Sequence, residues 1–168
     1  LPTVDELTAG ELFGPAIVID ITEKAAQDSD YRLTAEDVKD WETNHGAIPE
    51  GAIVLLNTGW GLKWGDMDAY RNRGEDGQMH FPGYGVDSAE YLINERSIRG
   101  IGIDNMSVDY GLSSDFSAHG VVNGSGKYHL ENVANVHLLP PTGAHLIVAP
   151  IKLEGGSGGQ VRIWAILP

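Results

Sequence analysis

The 168-residue chain contains no cysteine. That excludes a disulfide scaffold, an iron–sulfur cluster, a Cys-ligated zinc site and a thiol nucleophile. Any metal must therefore sit on His, carboxylate and water. Long apolar runs are missing too: stretches such as 52–56 and 163–167 are far too short to cross a bilayer. Basic residues are scarce, with 11 Lys and Arg against 24 Asp and Glu and a formal net charge of −13. Such a surface repels phosphate backbones and anionic membranes, so no nucleic-acid and no membrane partner is expected. The first residues, LPTVDELTAGELFG, lack a basic start followed by an apolar stretch and do not read as a signal peptide. A cytoplasmic protein is expected. Position 1 is not Met, which fits a processed, trimmed or partial product.

What the chain does have is glycine. Its 22 Gly are about twice the usual share of roughly 7%, which favours tight turns or backbone packed closely around a site. Hydrophobic residues at 42% and charged residues at 21% suit one folded domain spanning 1–168. The β-branched run 16–21 (AIVIDI) predicts a buried strand, and 52–57 and 100–104 predict two more. Thr34, followed by acids, predicts the N-cap of a helix reaching about Asn44. Asp87-Ser88-Ala89-Glu90 reads as a capping box opening a helix to about Arg96, and Ser114-Asp115 as the cap of a helix carrying His119. A short turn or helix is expected over 130–135. Two late strands are expected over 145–153 and 160–167, joined by the loop Gly155-Gly156-Ser157-Gly158-Gly159. Strands that alternate with helices and then pair at the end indicate an α/β or mixed α+β fold.

Gly155–Gly159 matches G-x-S-x-G, the turn that carries a hydrolase serine. That motif needs a helix after the turn and a His later in the chain, whereas a strand-like segment follows and the last His, His145, comes earlier. No glycine run precedes Lys-Ser or Lys-Thr, so there is no P-loop. His45 and His80 lie in polar or loop contexts and read as ordinary surface residues, and His129, His137 and His145 are scattered with no partner His at helical spacing. His119 differs: Asp115 precedes it, and Glu131 lies 12 residues on, beyond a Gly-broken turn. A His and a Glu can converge across such a turn on a divalent cation, although pairs like this also arise by accident. Trp60 and Trp64 flank the loop after the second strand, where ligands sit in α/β folds, and core packing is the alternative for both.

Taken together, several segments resemble the metal-dependent cyclase family, which includes bacterial arylformamidases (kynurenine formamidases) and isatin hydrolases. Val54-Leu55-Leu56-Asn57-Thr58-Gly59-Trp60 resembles its LLxTGW segment, and Gly100 to Asp109 resembles its GIDxxSxD strand and loop. His119 with Glu131-Asn132-Val133-Ala134-Asn135 and Leu138-Leu139-Pro140 resembles its H…ENLxNLxxLP stretch. Pro150-Ile151-Lys152, the Gly run and Val161-Arg162 to Ala165-Ile166 resemble its closing PLK…GGxGxPxRxxA.

The resemblance implies a swivelling β/β/α domain with a mixed, barrel-like sheet. It implies hydrolysis of a linear or cyclic amide C–N bond in a small aromatic substrate, with one or two divalent cations, Mn2+ or Zn2+. It implies His119 and Glu131 as metal ligands and Trp60 as a wall of an aromatic substrate pocket. It also implies a homo-oligomer. The family's H-x-G-T-H-x-D-x-P-x-H motif, which supplies most ligands and a His acid/base, is not in this sequence. The chain is thus expected to be the C-terminal part of a cyclase domain, missing an N-terminal segment. By itself it should hold metal weakly or not at all and be a poor enzyme. A non-catalytic binding or assembly module that kept the fold is the alternative.

Overall fold

The computed structural model describes residues 1–168. Its centre is β3 (Ile53–Asn57), buried at every position, as a run apolar on both faces requires. β1 (Phe13–Asp20) pairs parallel to β3, with Ala16 opposite Ile53 and Asp20 opposite Asn57. On the other side β5 (Gly100–Ile103) and then β6 (Tyr128–Leu130) continue the parallel order. β7 (His145–Pro150) runs antiparallel to β1, and β8 (Val161–Ile166) antiparallel to β7. The sheet order is β6-β5-β3-β1-β7-β8, a mixed sheet curled into a half-barrel. A two-strand parallel sheet, β2 (Arg32–Leu33) with β4 (Gly83–Tyr84), lies apart from it.

Helices α2 (Ala35–His45), α4 (Val86–Arg96) and α5 (Ser117–Gly124) pack one face of the large sheet. Val38, Leu92 and Val122 from these helices meet Ile17, Val54 and Ile101 from the strands in one core. The opposite face carries Val18, Leu55, Leu130, Val136 and Leu146. α1 (Thr22–Gln27) and α3 (Met67–Arg71) are short. The glycines of β5 let its neighbours close in. A Cβ on Gly102 would lie 2.6 Å from Leu55 Cδ2, and one on Gly100 would lie 2.7 Å from the Tyr128 carbonyl oxygen.

The structure confirms the Thr34 cap. Its hydroxyl accepts from Asp37 N, and the Asp37 carboxylate accepts from Thr34 N. Two other caps differ from expectation. α4 starts at Val86 behind Gly85, and Asp87 does not cap it. The Asp87 carboxylate instead accepts from Ala35 N (2.8 Å), satisfying the first turn of α2, so a contact between helices wins over the local box. α5 starts at Ser117 behind Phe116, whose φ is +50°, and neither Ser114 nor Asp115 caps it. Residues 130–135 do not form the expected turn or helix from their start, because Leu130 ends strand β6.

α2 and α4 are tied by one ion pair. Arg96 donates from Nε to Glu42 Oε1 (2.6 Å) and from Nη2 to Oε2 (2.9 Å). Ile48 N and the Tyr91 hydroxyl add two more donors. The Arg96 guanidinium, aided by those donors, holds the Glu42 carboxyl at about 2 instead of 4.5. A carboxyl with a depressed native pKa adds stability above its unfolded pKa, and that stability is lost as pH falls through the native value. The pair should therefore contribute on the order of 2 kcal/mol at neutral pH and lose it between about pH 5 and pH 2. Urea titrations across that range should show a flatter acid limb for Arg96→Met than for the wild type.

Candidate metal centre

The site is built from α5, β6 and the loops that follow β5 and β6. Asp109, 2% exposed, lies midway along the loop between β5 and α5 and places its carboxylate against the first turn of α5. Its Oδ1 accepts from Ala118 N (2.8 Å), and its Oδ2 accepts from His119 N (3.3 Å). A carboxylate on those unpaired amides suits the positive end of the helix. The same Oδ2 lies 2.5 Å from His119 Nδ1. His119 is thereby held with Nδ1–H donating and the Nε2 lone pair free.

β6 brings in a second imidazole. His129 Nδ1 lies 3.1 Å from Asn123 Oδ1, which again leaves Nε2 as the free lone pair. Burial, reinforced by the nearby His119, lowers the His129 pKa to about 4, so the ring is neutral at pH 7. Glu131 follows two residues later, on the same side of the extended chain. Its Oε1 is 3.3 Å from His119 Nε2 and 3.9 Å from His129 Nε2. Burial pushes the Glu131 carboxyl up, and His119 partly offsets this.

Two imidazole lone pairs and a carboxylate thus converge, with ligand atoms of His119, His129 and Glu131 all within 4.8 Å of one another. With Nδ1 of each ring facing its own oxygen, neutral imidazoles present two Nε2 lone pairs beside the Glu131 carboxylate, a cluster that a cation, or a proton on His119, would bridge. Two His and one carboxylate match the three-ligand sets of catalytic zinc, with Zn–N near ~2.0–2.1 Å and Zn–O near ~2.0–2.2 Å. The residues fit one divalent cation.

The structure brings His119 and Glu131 together, and it adds His129, which the scattered-histidine reading left out. The signal for it was the pattern His129-x-Glu131, which puts both side chains on one face only if the segment is extended. Trp60 lies elsewhere, 3% exposed, packed with Tyr70 and Phe81, and its indole N–H donates to the Tyr70 carbonyl (2.8 Å). It reaches the site indirectly. The Tyr70 hydroxyl donates to Asn132 Oδ1 (2.6 Å), beside Glu131, and Asn132 N donates to the Asn105 carbonyl (2.7 Å). Ser157 precedes a strand and has no helix behind it, so the hydrolase-serine turn is absent.

Residues 1–110 match the family model described as "Putative cyclase". The chain belongs to the cyclase family. An isatin hydrolase from Roseibium aggregatum is 36% identical over 98% of this chain and 63% of its own length. The structure of isatin hydrolase A from Labrenzia aggregata, bound to benzyl benzoate, is 39% identical with a TM-score of 0.93, over 98% of this chain and 65% of that one. An isatin hydrolase bound to the product analogue thioisatinate is 36% identical with a TM-score of 0.93, over 99% of this chain and 64% of that one. This cyclase-family chain thus spans just under two thirds of the length of these relatives.

Proposed function

We propose that this chain forms the His/Glu-bearing, C-terminal part of a cyclase-family hydrolase that opens a linear or cyclic amide C–N bond of a small aromatic substrate. The reading is arylformamidase-like or isatin hydrolase-like. The observation that carries it is the convergence of His119 Nε2, His129 Nε2 and Glu131 Oε1 with each Nδ1 already occupied. A bound Zn2+ or Mn2+ would polarise the amide carbonyl and lower the pKa of a coordinated water.

The chain's own residues do the positioning. Asp109 and Asn123 set the tautomers of the two rings. Asn132, gripped by Tyr70 and by the Asn105 carbonyl, fixes the loop that presents Glu131. Trp60, packed against Tyr70, acts through it by holding the residue whose hydroxyl grips Asn132. By resemblance, the His acting as acid/base belongs to the motif that these 168 residues lack.

The test joins this chain to the part of the Roseibium aggregatum isatin hydrolase that it does not span, and assays isatin and N-formylkynurenine. Ring opening or deformylation that depends on Zn2+ or Mn2+, and that drops at least 100-fold in Glu131→Ala, is expected. A folded, metal-loaded fusion that turns over neither substrate contradicts the proposal. The alternative, a non-catalytic assembly module, draws on the absence of the H-x-G-T-H-x-D-x-P-x-H motif. It predicts metal uptake with no turnover in that same fusion.

We also infer that the chain self-associates. β8 is a free sheet edge carrying Trp164 (53% exposed) and Ile166 (52%), and cross-strand Ile147 extends the apolar strip. Light scattering should give a mass above one chain, and Trp164→Glu should shift it toward the monomer. A wild-type monomer at all concentrations contradicts this.

A further inference from the structure

At the carboxyl ends of β1 and β3 lies a cleft of about 300 Å³, bounded by the end of α2 and the turn 136–141. β3 stands two strands from β6, which bears His129, and the cleft shares no lining residue with the metal centre. The carboxyl edge of a parallel sheet is where open α/β sheets take ligands.

Asn57, 4% exposed, is the last residue of β3 and lines this cleft. Its Nδ2 donates to Asp20 Oδ2 (2.7 Å), which fixes which way the amide faces. Its Oδ1 is buried and has no hydrogen-bond partner. A buried carbonyl oxygen without a donor is rare enough in folded proteins to require an explanation. Asp20, on the exposed lip, brings a carboxylate to the same place. No Lys or Arg lines the cleft, and the whole chain is strongly acidic.

The walls are of a different kind. Trp41 and His45 lie with ring centroids 4.8 Å apart, tilted by 36°, on one side. Val136, Leu139 and Pro141 close the other. The Trp41 indole N–H is already spent on the Val18 carbonyl (2.9 Å). Asp20 Oδ1 already accepts from Thr22 N and Oγ1, so the acceptor left without any donor is Asn57 Oδ1, and what the cleft meets of Trp41 is the edge left open by the core.

We propose that this cleft binds a small aromatic amine in its ammonium form, with N–H donors to Asn57 Oδ1 and Asp20 and the ring between Trp41 and the apolar wall. The charge balance favours a cation, since an anion would meet Asp20 and find only the imidazoles of His45 and His137 as basic partners. The inference stands on Asn57 and Asp20 and does not depend on the metal reading.

Benzylammonium is the probe, titrated into the 168-residue chain in EDTA and followed by NMR. A saturable shift of the Trp41 indole N–H and the Asn57 side-chain amide is expected, with none for benzoate. Asn57→Leu should weaken binding at least tenfold. If that variant does not fold, Asp20→Asn on the exposed lip should weaken it at least fivefold. No saturable shift overturns the proposal. So does equal affinity in the folded variants, equal binding of benzoate, or a response centred on His119 and His129.

Discussion

Asp109→Asn is expected to weaken Zn2+ or Mn2+ binding about 10- to 100-fold, the usual cost of losing the carboxylate behind a metal-binding His. Asp109 does two jobs with one carboxylate. Oδ1 and Oδ2 accept the first free amides of α5, and Oδ2 also orients His119 through Nδ1. Asparagine keeps a single acceptor oxygen. Either the helix amides or the imidazole then faces an NH2 group, and the His119 tautomer is no longer fixed. Both the buried charge-assisted bonds and the helix-end interaction are weakened, so a stability loss of about 1–3 kcal/mol should accompany the affinity loss. Isothermal titration with each metal measures the first, and urea unfolding the second. Unchanged metal affinity in a folded variant would remove Asp109 from the account of the site.

Asp104→Ala carries the largest expected stability loss. Asp104 is 4% exposed at the end of β5. Its Oδ1 accepts from Thr58 N (3.1 Å) and from the Thr58 hydroxyl (2.5 Å), and its Oδ2 accepts from Gly61 N (3.1 Å). Alanine strands three buried or half-buried donors at once. Stranded donors cost about 1–3 kcal/mol each, so a total of roughly 3 kcal/mol or more is expected. For a chain of this size that corresponds to a fall in Tm of at least about 6–12 °C. The loop that Asp104 ties down carries Trp60, so the near-UV signal of that indole should change as well. Asp104→Asn, with one acceptor left, should fall between wild type and alanine. A Tm within about 2 °C of wild type for Asp104→Ala would mean that other contacts hold the loop.

The strands β1, β3 and β5 were legible because each is a continuous apolar run, the mark of strands buried on both faces. α2 was legible because its cap is local, Thr34 answered by Asp37 three residues on. The caps of α4 and α5 were not, because the decisive partners lie far along the chain. Asp87 serves Ala35, and the amides of α5 find Asp109 in place of the neighbouring Ser114 or Asp115.

His119 and Glu131 stood out through resemblance and spacing. His129 did not, because β6 has only three residues and holds its strand conformation by pairing with β5, which no short pattern announces. Trp60 was read as a wall of a substrate pocket. The structure buries it against Tyr70 and Phe81, and the proposed part it plays passes through Tyr70 and Asn132.

The central claim is that His119, His129 and Glu131 together hold one divalent cation, and metal content tests it most directly. Two ligands alone implied weak or absent binding by the isolated chain, but with His129 as a third the 168-residue chain, stripped with chelator and dialysed against Zn2+ or Mn2+ near pH 7, should retain about one ion per chain, as a three-ligand site completed by water does. The triple variant His119→Ala, His129→Ala, Glu131→Gln, shown to be folded by circular dichroism, should retain none. A folded wild-type chain that takes up neither metal, or a triple variant that still binds one ion per chain, would contradict the account.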